Sequence, residues 1–420
     1  MREKAEKNRK EKIIMALTIM NDAERCLQCK VPMCKKGCPI STPIPEIIAK
    51  FKEGKIMEAG LQLFENNPMS VFCSIVCDHQ AQCAGHCVLG RKGSPVHFYN
   101  IEKYISDAYL DRARITKAEK KGKKAAVLGA GPAGMTVAVI LASNGYDVTI
   151  FDDNTEIGGM LRYGIPEFRL PKTIIDRYKK LMDKLDIQYR PNTAIGAALT
   201  IDNLFRDGYA SVFCGTGVWR PKTLGIEGES LPHVHFGISY LANPDAFNLG
   251  ETVAIIGMGN VAMDVARTAL RHGAQNVTLY ARSKRIAASE HEMDYARLDG
   301  AQFEFGQAIE KIEEDGPVFK VAVFDENDKV VGYEEELNHV KADSVILAVS
   351  QAPKNKLILT TAGLEGNEKG LLITDENCMC TVPGVFAAGD VVTGSNTVVA
   401  AAEEAKRAAH AMMEYMEKQN

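Results

Sequence analysis

A strand, a glycine-rich loop, a helix and a second strand follow one another twice in this chain, from Ala125 and again from Thr252. Each occurrence fits a parallel βαβ unit and little else. In AAVLGAGPAGMTVAVILASNGYDVTIFDD, the glycines Gly129, Gly131 and Gly134 separate a strand expected over Ala125–Leu128 from a helix expected over Pro132–Asn144. The first glycine permits a tight turn, the second lets the backbone approach a pyrophosphate, and the third lets helix lie against strand. Pro132 and Ala133 open the helix, whose free N–H groups suit phosphate. The strand Asp147–Phe151 ends in Asp152, 18 residues past Gly134, where a carboxylate can bond a ribose hydroxyl. The second copy carries Gly257, Gly259, Asn260 and, in the third place, Ala262. Its second strand, 276–280, runs into Ala281, so no carboxylate stands there to repel a 2′-phosphate. Arg282, Lys284 and Arg285 follow, and a guanidinium there accommodates that phosphate. This predicts NADPH in preference to NADH, with NADH possible.

At 420 residues, two or three domains are expected. The net charge of −4 gives no support to nucleic-acid binding. The longest mostly apolar stretch, Ala125–Ala142, is broken by three glycines and a proline, which excludes it as a membrane span. The opening MREKAEKNRKEK reads as a frayed, solvated helix with no apolar signal core behind it. Eleven cysteines without an export signal suit a reducing cytoplasm, and a cytoplasmic location is expected. The expected layout is an α-helical domain over 1–115, a lysine-dense linker over 116–124, an α/β domain over 125–222 and 346–420, and a second α/β domain over 223–345. Helices are expected over Ile44–Lys52, over Ile101–Asp111 and from Asn396 to about Met416, with further strands in Ser211–Gly217, Ala342–Val349 and Val385–Asp390.

Eight cysteines fall within 26–87, in two runs: Cys26, Cys29, Cys34 and Cys38 before Pro39, then Cys73, Cys77, Cys83 and Cys87. Ferredoxin-type runs also end in Cys-Pro after a three-residue gap, and there the fourth thiolate serves the other cluster of a pair. Structural zinc would need two closed tetrahedral sets, and disulfides are disfavoured by compartment. Iron–sulfur clusters are the stronger reading, because they give a flavin a one-electron outlet that zinc cannot. Cys214, Cys378 and Cys380 read as packing or loop cysteines.

From about Arg25 to Met416 the chain resembles the small subunit of NADPH-dependent glutamate synthase and the N-terminal half of dihydropyrimidine dehydrogenase. The motifs are RCLQCKVPMCKKGCP, CSIVCDHQAQCAGHC, LGAGPAGM, GGMLRYGIPEFRLPK, GMGNVAMDVART and PGVFAAGD. The resemblance implies an α-helical domain with two 4Fe–4S clusters, followed by a two-dinucleotide-domain flavoprotein whose FAD domain holds an inserted NADP domain. It implies one cluster on Cys26, Cys29, Cys34 and Cys87, and another on Cys38, Cys77, Cys83 and Glu102. Spacing alone assigns Cys73 to a cluster; the resemblance makes it a non-ligand. FAD in the first nucleotide site is implied by likeness to FAD-binding reductases at Gly159 and Leu161, at Thr216 and Gly217, and at Gly389 and Asp390. Three departures stand out: Gly215 in place of Ala, Asp78 after Cys77 in place of Pro, and Ala405 in place of Gly.

Together these imply electron flow from NADPH through FAD and both clusters to a partner, with no side chain acting as an acid–base catalyst. No segment resembles a glutaminase or an FMN-binding barrel, so the expected partner is an FMN-containing or other electron-accepting subunit. It could be a glutamate synthase large chain, a pyrimidine reductase or an electron-bifurcating assembly. A free-standing NAD(P)H:acceptor oxidoreductase and a non-enzymatic relay module are the rival classes.

Overall fold

Apolar residues three and four apart build the helices of the first quarter. In the computed structural model, residues 17–113, 118–196 and 199–419 are described. The charged opening run and residues 116–117 of the expected linker lie outside them. Helices Ile44–Lys52, Ile56–Asn66, Ser70–Val76 and Phe98–Arg112 enclose a core that includes Ile47, Ile48, Leu63, Ile101 and Ile105. Cys26, Cys29, Cys34 and Cys38 precede the first of these helices, Cys73 lies within Ser70–Val76, and Cys77, Cys83 and Cys87 lie between the last two.

The chain divides into two compact units, one of residues 1–159, 169–217 and 355–420, the other of residues 160–168 and 218–354. In the first unit the helical cysteine-bearing region adjoins a five-stranded parallel sheet. Its spatial order is Val385–Ala387, Tyr209–Cys214, Lys124–Leu128, Asp147–Phe151 and Gln188–Arg190. Such a sheet is covered on both faces, which accounts for the nearly unbroken apolar runs KAAVL and SVFC. Helix Pro132–Ser143 and the long helix Val398–Lys418 lie against each other. Three contacts fasten the helical region to this fold: Arg177 pairs with Asp107 and Asp111, both at 2.9 Å; Phe72 meets Tyr178 with ring centroids 5.2 Å apart; and Lys406 bonds the Asn66 carbonyl at 2.9 Å.

The second unit holds its own five-stranded parallel sheet, in the order Val234–Phe236, Ser344–Leu347, Thr252–Ile256, Asn276–Ala281 and Gln302–Phe305. It also contains an antiparallel three-stranded sheet of Gln307–Glu313, Gly316–Phe324 and Val330–His339, which the sequence reading did not foresee. No described helix is long and apolar enough to cross a membrane.

Candidate functional site

The first glycine loop is a tight backbone junction. Gly129 has φ +98°, and a Cβ there would lie 2.5 Å from the Gly215 carbonyl oxygen. A Cβ on Gly134 would lie 1.8 Å from the Gly129 oxygen, so helix and strand approach only because both residues are glycine. Gly131 is different: the nearest atom to an added Cβ is the Gly159 Cα, 3.9 Å away, leaving an open face where phosphate can approach the backbone. Ala133 and Ala401 flank Gly389, so the starts of two helices and the end of strand Val385–Ala387 converge here. Thr216 and Gly217 follow strand Tyr209–Cys214 at the same sheet edge, and Gly215 N–H donates to the Leu128 carbonyl at 2.8 Å. The glycine at 215 has a local cause: an alanine Cβ would lie 2.7 Å from the Phe213 ring. Leu161 belongs to the second unit.

Asp152 is buried, and its carboxylate accepts from the backbone N–H of Ala130 at 2.6 Å and of Asn154 at 2.7 Å. It therefore pins the glycine loop to the strand end. Burial raises its pKa, opposed by those donors. Asp390 is pushed up to about 7 by burial, opposed by the Asn396 N–H and aided by the nearby Glu404. Glu404 in turn accepts from Gly389 N–H at 2.8 Å, a contact that motif reading missed. The open glycine backbone and free helix start fit a dinucleotide phosphate.

In the second unit Gly257 has φ +132°, and an added Cβ would meet the Ala348 oxygen at 2.5 Å. Gly259 has nothing within 4 Å of an added Cβ, so its face is open. Ala262 is fully buried in the first turn of helix Asn260–Arg271. Ala287 and Ala288 donate to the Met258 carbonyl, and the Asn260 side chain accepts from Ser289 N–H at 3.0 Å. These bonds hold the basic segment beside the glycine loop. Arg282 and Arg285 are exposed there, whereas Lys284 pairs with Asp328 and lies over the Phe324 ring. Arg282, Lys284 and Arg285 thus lie on one exposed basic segment beside the glycine loop, a placement that suits a 2′-phosphate.

The cysteines gather in two groups. Burial raises Cys26 and, to about 11, Cys34, and each also feels the negative charge of Cys29 and Cys87. These four line a cavity together with Cys83, and Ile44, Ile48 and Phe98 close it. In the second group burial raises Cys38 and Cys83, and both feel Glu102. Cys77 is raised first by its hydrogen bond with Cys73, then by burial, with Glu102 and Cys83 adding to it. Cys83 also feels Cys34, so the groups adjoin. Glu102 is only 6% exposed on a helix face that is otherwise core, and burial raises its pKa strongly. No hydrogen bond or cation among the described residues compensates this carboxyl. A buried carboxylate with no partner is costly, and metal ligation removes the cost.

Among the described residues no three His, Cys, Asp or Glu are gathered to hold a single metal ion. A four-iron cluster spreads its ligands over several irons, and soft thiolates gathered in two adjoining groups are the donors such clusters take. Cys73 is buried one helical turn before Cys77, and accepts from the Asn67 amide at 3.3 Å. Tyr178, whose buried hydroxyl has no partner among the described residues, feels Cys73 as well. Asp78 accepts from Ala81 N–H at 3.1 Å and closes the turn after Cys77 through its side chain, which proline in that place could not do.

Comparison with known proteins agrees with this architecture. The family model described as pyridine nucleotide-disulphide oxidoreductase matches residues 78–203 and 123–405. The one described as dihydropyrimidine dehydrogenase domain II, 4Fe-4S cluster, matches residues 3–114. The glutamate synthase [NADPH] small chain of Escherichia coli K12 is 32% identical, over 94% of this chain and 91% of that protein. The NAD-dependent dihydropyrimidine dehydrogenase subunit PreT of the same organism is 31% identical, over 96% of this chain and 95% of that protein. The structure of Mycobacterium tuberculosis FprA in complex with NADPH superposes with a TM-score of 0.61, at 17% identity, over 70% of this chain and 84% of that one, a likeness of fold. An N-terminal 4Fe–4S domain thus precedes an FAD and NAD(P) two-dinucleotide fold, and the chain belongs to the family of NAD(P)H-dependent FAD and iron–sulfur oxidoreductases that includes the glutamate synthase small chain and PreT.

Proposed function

We propose that this chain is the electron-input subunit of a larger enzyme, of the glutamate synthase small-chain type. The observation that carries the reading is the joining of the helical cysteine domain and the first nucleotide fold in one compact unit, with Glu102 on helix Phe98–Arg112 and Cys77 at the end of helix Ser70–Val76, the two helices that carry Asp107 and Phe72 against that fold. The cofactors supply the chemistry when bound: a hydride from the nicotinamide is taken up as an electron pair and passed on one electron at a time. The chain's residues bind and orient. Gly129, Gly131 and Gly134, with the free N–H groups of helix Pro132–Ser143, hold the flavin's pyrophosphate. Asp152 fixes that loop, and Asp390 meets the ribityl region. Gly257 and Gly259 receive the coenzyme's pyrophosphate, and Arg282 with Arg285 its 2′-phosphate.

Cys38, Cys77, Cys83 and Glu102 hold the cluster nearer the flavin. Cys26, Cys29, Cys34 and Cys87 hold the farther one, which lies beside the exposed side chains of Leu27 and Val31. The partner that takes the electrons is an FMN-containing subunit making glutamate from glutamine and 2-oxoglutarate. Relatives named for glutamate synthase and for dihydropyrimidine dehydrogenase stand at nearly equal identity, 32% and 31%, and a formate dehydrogenase subunit beta also matches at 31%, so partner identity is the decisive test. Anaerobic purification from the native cell, with identification of the protein that co-purifies, provides it. A glutamate-forming FMN subunit supports the proposal. A pyrimidine reductase subunit, or a chain that is fully active alone, overturns it.

A further inference from the structure

A line of polar contacts runs from the final helix, Val398–Lys418, into the cysteine domain and ends on a sulfur. The Lys406 ammonium bonds the backbone oxygen of Asn66 at 2.9 Å and its side-chain Oδ1 at 3.4 Å. With Oδ1 taken by a cation, the amide must turn its NH2 the other way. That NH2 reaches the Ile40 carbonyl at 3.3 Å and the Thr42 Oγ1 at 3.4 Å. Thr42 Oγ1 lies 3.3 Å from Cys38 Sγ. As a cluster ligand Cys38 is a thiolate with no proton to give, so the Thr42 hydroxyl must be the donor. Every bond then points the same way, from ammonium to amide to hydroxyl to sulfur, and bonds so aligned polarise one another.

We propose that Lys406, Asn66 and Thr42 are positioning residues that raise the reduction potential of the cluster bound by Cys38, tying it to the helix that starts at the flavin site. The inference rests on the ligand reading given above. A reduced cluster carries one more negative charge than an oxidised one. A hydrogen bond to its sulfur, backed by a directed cation, therefore stabilises the reduced form. Lys406 is half-buried, and burial pulls its pKa down, opposed by Glu403. Ammonium protons spent on Asn66 are thus poorly replaced by water.

The test is an anaerobic potentiometric titration of the holoprotein followed by electron paramagnetic resonance, with iron and flavin counted in each variant. Thr42→Val and Lys406→Met should each move the midpoint of the same cluster to more negative potential, while the other cluster stays in place. Thr42→Ser and Lys406→Arg should keep the wild-type value. The Thr42→Val/Lys406→Met double variant should shift by less than the sum of the two, since both act through one chain. Unmoved midpoints in Lys406→Met with full iron and flavin would make Lys406 a tie between helices and overturn the proposal. If that variant fails to fold, Thr42→Val decides alone: an unmoved midpoint there also overturns it. Cys38→Ser separates the two levels of argument, because retention of both clusters in it sinks the ligand reading itself.

Discussion

Glu102 sits among Phe98, Ile101, Ile105 and Tyr109, all buried on one helix face, and in the proposed ligand set it is the donor that cysteine spacing could not supply. Ligand spacing is legible only within a loop; a donor from a helix appears in sequence as a flaw in a core stripe. Cys73 illustrates the opposite hazard. It has ligand-like spacing, yet it occupies a buried helix face with an amide donor from Asn67 and the Cys77 thiol beside it. Cys73→Ser is therefore expected to leave iron and acid-labile sulfide near the wild-type level of about eight each, while Cys34→Ser loses a cluster. Metal and sulfide analysis after anaerobic purification checks both, and loss of iron in Cys73→Ser would place Cys73 among the ligands. Coenzyme choice is also a matter of single residues. Lys284 pairs with Asp328 at the surface, whereas Arg282 directly follows the strand end, so Arg282 is the residue to test. Loss of one charge-assisted bond costs about 1.5–3 kcal/mol. Arg282→Ala should accordingly lower kcat/KM for NADPH by roughly tenfold to a hundredfold and leave NADH nearly unchanged. Stopped-flow flavin bleaching with each coenzyme measures the ratio. An unaltered ratio would reduce the arginines to surface charge.

The elements most legible in the sequence are those whose residues have purely local duties. Strand Asp147–Phe151 and helix Ile44–Lys52 fall where pattern and apolar spacing put them, and the glycine loops do so because the turns at Gly129 and Gly257 and the contact at Gly134 exclude a side chain. Legibility fails for the antiparallel sheet over 307–339. Its outer strand, Val330–His339, is exposed along most of its length and rich in glutamate, so burial leaves no clear mark on the sequence. Backbone bonds that link motifs were equally hidden, such as Glu404 to Gly389. Two expectations belong at this scale. Gly134→Ala puts a methyl into the Gly129 carbonyl and should yield protein with little flavin, read from the flavin-to-protein absorbance ratio; normal flavin content would show that the junction can yield. The turn at Gly389 also makes the flavin-free protein pH-sensitive. Folded Asp390 keeps its proton up to about 7, against 3.8 ordinarily. Between those values the folded state binds more protons than the unfolded one, so stability from this carboxyl is lost as pH rises through that window. Urea midpoints of the flavin-free protein should fall with rising pH, and Asp390→Asn should flatten the slope.

At the scale of the whole molecule, the chain separates its two tasks by unit. Cysteine domain and first nucleotide fold share one compact unit, fastened by Arg177, Phe72 with Tyr178, and Lys406, while the second glycine loop and its basic segment lie in the other. Loss of a cluster should therefore leave flavin reduction standing, and loss of the coenzyme loop should leave electron release from the clusters standing. Cys34→Ser, which removes a proposed cluster ligand far from either glycine loop in sequence, should keep flavin bleaching by NADPH near the wild-type rate yet lose reduction of a one-electron acceptor that draws from the clusters. Gly257→Val should do the reverse. Its side chain has no room beside the Ala348 carbonyl, so coenzyme oxidation fails, but clusters reduced chemically should still pass electrons to the acceptor. Both variants need only rapid-mixing absorbance with NADPH and with a chemical reductant. Joint failure of both half-reactions in Cys34→Ser, with flavin content intact, would show that the clusters are required for flavin reduction, and the division of labour drawn from the two units would be wrong.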